Sequence, residues 1–347
     1  MERRTFLQGA TAVGILGASG VLGGCSDGGG EAPPALSVED LPPLSGDLTV
    51  YLGRGEGGLY SKVVDAIRER NPDLNLSVRR GPSSALANTL VEEAKRGGAR
   101  ADLFWSIDAS SLGRVIDQGV ARPVPAELRN RVREPFRFES MAPVTGRVRT
   151  VAYNPERLDP ETIPDAIMAF ADADFSVGWA PAYGAFQSFV TAMRVLEGEE
   201  ATLKWLRAIK PRAREYAGEL GAVMATAQGD VDLSLANHYY TLRLKAGKPD
   251  ANVALTYTRG DAGSLVNASG VALLDDSDTA TNFVRYLLSR EVQSYLAEEA
   301  YEIPLVPGVP APEGLPSLDE LEPPRIDLTR LGDMEPTLTL MRRAGVL

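Results

Sequence analysis

Histidine and cysteine are almost missing from this chain: 347 residues contain one of each, His238 and Cys25. A lone cysteine builds no disulfide framework, and the pair supplies too few ligands for a zinc cluster. Positive charge is also in deficit. Lys and Arg number 36 against 47 Asp and Glu, a formal net charge of −11 that argues against nucleic acid as a partner. Long apolar runs are scarce, and the stretch nearest the start is too short and glycine-rich to span a bilayer as a stable helix.

That stretch has another reading. In MERRTFLQGATAVGILGASGVLGGC, Arg3 and Arg4 precede Phe6 and Leu7, and Leu22, Gly23 and Gly24 precede Cys25. This is the pattern of a twin-arginine export signal over residues 1–24 that ends in a lipobox, with Cys25 as the lipidated first residue. The folded part is then expected outside the cytoplasm, anchored to the outer face of the cytoplasmic membrane. Residues 25–46 are rich in Gly, Pro and acids and lack periodicity, which predicts a flexible tether with ordered structure from about Leu48.

The remainder, about 300 residues, exceeds a usual single core and predicts two lobes around a cleft. Strand and helix patterns alternate. DLTVYLG reads as a buried strand, LYSKVVDAIRERNP as a helix with Leu59, Val63, Val64 and Ile67 on one face, then LNLSVRRG, ALANTLVEEAKRGG and ADLFWSID follow as strand, helix and strand. Such a beginning implies an α/β fold with a largely parallel sheet and ligands at the strands' carboxyl ends. RVRTVAYNP reads as a strand crossing to the second lobe, and SGVALLDD with the helix after it returns to the first. The expected division is 47–147 with 270–306 in lobe 1, and 148–269 with 307–347 in lobe 2, the proline-rich tail forming a strap with a short final helix around Thr337 to Ala344.

Candidate chemistry begins with tyrosines. Tyr239 and Tyr240 follow an apolar strand-like run and open a helix in VDLSLANHYYTLRLKAG, and Tyr183 sits in GWAPAYGAFQ. Iron(III) is a hard cation that prefers anionic oxygen donors in octahedral geometry, and three phenolates would balance its charge. A phenol with a pKa near about 10 ionises at neutral pH only when a strong positive charge drives its proton off, as a bound metal does. The plainer reading of a tyrosine pair is packing or an interface. Arg147 and Arg149, two apart on a strand, point the same way and are placed to hold a small anion or to form a surface ion pair. Asn237 and the backbone N–H groups of Gly184 and Ala185, where a helix begins, offer an anion cradle. His238 diverges from Tyr239 on the helix and reads as packing or support. Tyr51, Tyr153 and Tyr286 read as core. Glu56 and Asp108 are candidate oxygen donors from the opposite wall, whereas Tyr60, which follows the glycine turn, is expected to stay out of the cleft.

One motif points elsewhere. Gly53, Gly55 and Gly58 form G-x-G-x-x-G between a strand and a helix, the dinucleotide-binding context. The next strand ends in Val78, Arg79 and Arg80, with no acid for a ribose, although an arginine there would suit a 2′-phosphate. An exported dinucleotide-dependent oxidoreductase is therefore one alternative, and a binding protein for another small solute or a chelated metal is a second.

ADLFWS, TGRVRTVAYNPERL, GWAPAYGAFQSFVTAMR, NHYY, AGSLVNASGVALL and EIPLVPGV together resemble the bacterial ferric-ion-binding proteins, the substrate-binding subunits of iron(III) ABC transporters, from about Asp47 to Val346. By position, Tyr239 and Tyr240 match that family's iron-ligating pair and Tyr183 its third tyrosine. Arg147 matches an arginine, and Asn237 an asparagine, that contacts a synergistic anion. Gly55 and Ile107 stand where some members carry a histidine and a glutamate ligand, and Glu219 stands where some carry another anion-contacting asparagine. The resemblance implies a two-lobed type II periplasmic-binding fold and no catalysis. It further implies ferric iron as cargo with carbonate or phosphate beside it, and delivery by a monomeric carrier to a separate permease driven by a cytoplasmic ATPase.

Overall fold

The computed structural model describes residues 32–53 and 58–347. The leader with Arg3, Arg4 and Cys25, together with Gly55 and Glu56 of the glycine turn, lies outside the described residues.

The alternating start forms β1 (Gly46–Gly53), α1 (Leu59–Arg70), β2 (Leu74–Gly81), α2 (Ser83–Lys95) and β3 (Leu103–Ser106), with β1 parallel to both β2 and β3. Helix α1 buries Val63, Val64 and Ile67, the face its spacing requires, and stops just before Pro72. Next come α3 (Ala109–Asp117), capped by Asp108, whose carboxylate accepts the Ser111 N–H at 2.7 Å, then the single-turn α4 (Ala126–Arg129) and the long strand β4 (Ala142–Tyr153).

The second half runs through β5 (Val177–Trp179), α5 (Gly184–Glu197), α6 (Glu199–Ile209), β6 (Ala213–Glu215), α7 (Glu219–Gln228), β7 (Leu233–Asn237), α8 (His238–Gly247) and β8 (Ala254–Thr256). It returns through β9 (Val266–Leu273), α9 (Asp278–Leu287), α10 (Arg290–Ala300) and β10 (Ile303–Pro304), and ends in α11 (Met334–Arg343). Strand order is β2-β1-β3-β9-β4-β7-β5-β6, with β8 and β10 also pairing β4. Trp105 lies in one half of this arrangement and Trp179 and Trp205 in the other, all fully buried.

β4 joins the halves. Its Ala142–Val148 portion pairs with β9, and its Arg149–Tyr153 portion with β7. The change of partner falls between Val148 and Arg149, so the two lobes share one continuous strand. β9 already pairs with the first-lobe portion of β4 at Val266, somewhat before the expected return at 270.

Two expectations need correction. The segment read as a flexible tether as far as residue 46 is ordered over its second half: Val38, Leu41 and Leu44 are buried, the Ser37 hydroxyl and Val38 N–H both donate to Glu291, and the Ala35 N–H donates to the Pro307 carbonyl. Apolar residues spaced by three give this stretch a packing face that its Gly- and Pro-rich average conceals. The tail expected to belong to lobe 2 touches both lobes. Its helical turn Leu328–Gly332 lies so close to α3 that a Cβ on Gly113 would stand 2.4 Å from the Thr329 carbonyl oxygen. Beyond it, Asp333 accepts from Arg194 of α5 at 2.6 Å and the Thr337 and Thr191 hydroxyls bond at 2.9 Å. No helix among the described residues is long and apolar enough to cross a membrane.

Candidate metal centre

Strands β5 and β7 are parallel neighbours, and each feeds a helix at its carboxyl end. β7 passes into α8 with no intervening loop, Asn237 being both the last strand residue and the helix N-cap. Tyr239 and Tyr240 therefore stand in the first turn of α8. After β5 a short turn leads to Tyr183, the N-cap of α5. Neither cap's side chain accepts a backbone N–H of its helix, so both helix N-termini present N–H groups and a partial positive charge to the same place.

The three tyrosines converge there. The Tyr183 and Tyr240 hydroxyls lie 2.7 Å apart, the Tyr239 and Tyr240 rings have centroids 4.4 Å apart, and the Asn237 amide donates to the Tyr239 hydroxyl at 3.4 Å. Both members of the pair are buried, whereas Tyr183 is half-buried. Burial pushes the Tyr239 pKa up to about 12 against a smaller downward pull from Arg147. Tyr240 is raised further, by burial first and then by the neighbouring Tyr239 and Tyr183 phenols. All three groups expected to ligate a metal are thus brought together. The described residues contain no group of three or more His, Cys, Asp or Glu side chains able to hold a metal ion.

A cavity of about 610 Å³ opens between the lobes beside them, lined by Tyr183, Gly184, Ala185, Asn237 and Tyr239 on one side and by Tyr60, Asp108 and Glu302 on the other. A Cβ built on Gly184 meets nothing within 4 Å, so the α5 N-terminus faces open space. The Ser110 and Ser188 hydroxyls meet across the cavity at 3.0 Å.

Arg147 and Arg149 both reach this cavity from β4, and neither forms a surface ion pair. Arg147 bonds to Glu302 (Nη2–Oε1 2.6 Å), to the Tyr60 hydroxyl at 3.0 Å and to the Ile107 carbonyl. Burial alone would lower its pKa, but Glu302, followed by Tyr60 and Tyr239, carries it well above the usual arginine range. Arg149 pairs with Glu219, donates to the Leu235 carbonyl at 2.8 Å and lies over the Phe189 ring at 5.1 Å. Glu219 also accepts the Asn237 N–H at 2.9 Å, which ties the residue before His238 to the ion pair.

His238 is fully buried behind the site. Its Nδ1 accepts the Val148 N–H at 3.2 Å, which leaves Nε2 as the protonated nitrogen donating to the Tyr301 carbonyl. Burial lowers its pKa to about 4. It is a neutral structural post where β4 crosses between lobes. Tyr51, Tyr153 and Tyr286 are buried as expected. Asp108 is held as the cap of α3, although it lines the cavity.

Tyr60 belongs to the cavity wall, against the expectation that it stays out. It stacks on Trp105 at 4.3 Å and donates to Glu302 at 3.0 Å. Glu302 escaped sequence reasoning. It follows Tyr301, which closes α10 in the left-handed conformation (φ 57°). The available signal was an acid inside the apolar run YEIPLV, since buried carboxylates require partners.

The dinucleotide reading finds no support. Arg79 and Arg80 do not line the cavity; Arg79 lies against the Tyr51 hydroxyl and Glu93, and Arg80 against Ser61 and Asp65.

Two lobes joined by a shared strand, with a cleft between them, give the type II periplasmic-binding architecture of solute-binding proteins. The chain belongs to the bacterial extracellular solute-binding protein family, which matches residues 48–302, within the group of ferric-ion-binding proteins. It is 30% identical to the major ferric iron-binding protein of Neisseria meningitidis serogroup B, over 90% of this chain and 97% of that one. It is 29% identical to iron uptake protein A1 of Synechocystis, over 99% and 98%. Among solved structures, iron-bound HitA from Pseudomonas aeruginosa superposes with a TM-score of 0.75 at 30% identity, over 86% of this chain and 99% of that one.

Proposed function

We propose that this protein is an extracytoplasmic carrier that binds ferric iron between its lobes and hands it to an ABC transporter permease. Tyr183, Tyr239 and Tyr240 bind the ion as phenolates. A small synergistic anion, carbonate or phosphate, occupies the space beside Arg147, Asn237 and the N–H groups of Gly184 and Ala185. Its displacement offers a route for release. The leader 1–24 exports the chain, Cys25 anchors it by lipid, and the carrier works as a monomer. Residues 47–147 and 266–306 form the lobe facing the tyrosines, and 148–265 the lobe carrying them, with the strap 307–347 resting on both.

The observation that carries this reading is the 2.7 Å between the Tyr183 and Tyr240 hydroxyls. Two oxygens in adjacent positions of an octahedron with metal–oxygen distances of about 2 Å lie about 2.8 Å apart. The hydrogen-bonded phenols already have the spacing of one edge. The donor set is hard oxygen throughout, as iron(III) prefers.

The test is the visible spectrum of the soluble domain from Ser26 onward, stripped of metal and titrated with ferric citrate in hydrogencarbonate buffer. A phenolate-to-iron band that saturates at one equivalent and disappears in the Tyr239→Phe, Tyr240→Phe double variant supports the reading. A colourless wild type removes iron from the site.

A further inference from the structure

The two arginines that β4 sends into the cavity are spoken for before any ligand arrives. Arg147 is paired with Glu302 and Arg149 with Glu219, and the two carboxylates have side-chain exposures of 4% and 0%. Neither acid is free to swing away. Glu302 accepts from Tyr60 and Thr145 as well as Arg147, and Glu219 accepts from the Asn237 N–H as well as Arg149. Inside the cavity two further charges remain, one of each sign, Arg243 and Asp108. Arg243 is directed onto the Tyr239 ring, at 4.8 Å, and the Ala300 carbonyl, while Asp108 lies within the same cavity as the cap of α3. Arg114 is solvent-exposed at the rim, where water screens it.

We propose that Glu219 and Glu302 act as a charge filter on the ligand that shares this cleft, admitting a singly charged oxyanion and rejecting doubly charged phosphate, free or esterified. The inference rests on the ferric reading above for the identity of the cargo. Iron(III) with three phenolates is neutral. The positive charge left for a further ligand comes from the N-termini of α5 and α8, each equivalent to about half an elementary charge. Together they balance one negative charge. A dianion would leave an uncompensated charge beside two buried carboxylates that cannot leave, in a setting where like charges are poorly screened. An arginine that lacked a carboxylate of its own would reverse this preference, since its full charge would be available to the phosphate. Specificity here comes from a repulsive element built behind the attractive one.

The experiment uses iron-free protein, so its outcome does not depend on whether iron binds. Sodium phosphate and sodium hydrogencarbonate are titrated calorimetrically at about pH 8, where phosphate is mainly the dianion. The expected wild-type order is hydrogencarbonate tighter than phosphate. Glu302→Gln and Glu219→Gln keep the side-chain shape and remove the negative charge, and each should move the preference at least about tenfold toward phosphate. Wild-type protein that binds phosphate as tightly as hydrogencarbonate, or a preference that both substitutions leave unchanged, overturns the filter. Far- and near-ultraviolet circular dichroism identifies a variant that fails to fold. If both fail, the wild-type order decides alone. Failure of the ferric reading would show instead as a missing visible band in the iron titration.

Discussion

The Tyr183 and Tyr240 hydroxyls share a hydrogen bond of 2.7 Å although the residues are far apart in sequence, one at the N-cap of α5 and the other in the first turn of α8. A phenol that donates to another phenol is protonated, and the burial that raises Tyr239 and Tyr240 keeps them so at neutral pH. Metal must therefore displace protons. Under the ferric reading, affinity measured by competition with a chelator falls as pH drops, by about one decade per pH unit for each phenol displaced. Unchanged affinity between about pH 6 and 8 would show that phenolates are not the ligands.

Breaking the second ion pair should be costly. Glu219→Ala leaves the Arg149 guanidinium buried without its carboxylate and frees the Asn237 N–H, so denaturant unfolding should show a loss of about 3–5 kcal/mol. Replacing both partners, as in Glu219→Leu with Arg149→Met, should recover much of that loss. A single variant as stable as the wild type would contradict the burial described for this pair.

His238 gives the fold a pH dependence of known sign. Its folded pKa is about 4, against about 6.5 for the unfolded chain. Between these values the unfolded state binds more protons, so stability rises with pH: its contribution is complete above about 6.5 and is lost as pH falls through about 4. The shift corresponds to about 3 kcal/mol. Unfolding free energies of wild type and His238→Gln, measured across that window in iron-free protein, should differ in slope by about one proton. Parallel slopes would mean that the imidazole is protonated in the native state.

The strap is expected to tolerate no side chain at its contact with α3. Gly113→Ala places a methyl 2.4 Å from the Thr329 carbonyl, backbone that has no rotamer to yield. We expect a loss of about 1–3 kcal/mol, read as a lowered melting temperature. Gly184→Ala, whose Cβ meets nothing within 4 Å, serves as the comparison and should melt near the wild type.

Local pattern was enough to place most elements that build this cleft. Helical spacing in α1, the apolar run of β7 and the abrupt start of α8 at Asn237 are all written in neighbouring residues. Tyr239 and Tyr240 were legible as a pair for the same reason. The packing face of Val38, Leu41 and Leu44 was missed because composition averages over positions, and a face depends on their order.

By itself the sequence determined what chemistry is available: with one histidine and one cysteine, nitrogen and sulfur donors are scarce and oxygen donors, the tyrosine phenols among them, are plentiful. It also determined the strand-to-helix turns that aim those phenols, because capping and periodicity act over a few residues. Tertiary structure alone decided which groups meet. Tyr183 and Tyr240 touch because β5 and β7 are parallel neighbours, and Arg147 finds Glu302 because β10 pairs with β4 at Gly146 and Thr145. Charges that chain order keeps far apart cancel only once the sheet sets them side by side. The cleft's charge balance is for that reason a property of the fold.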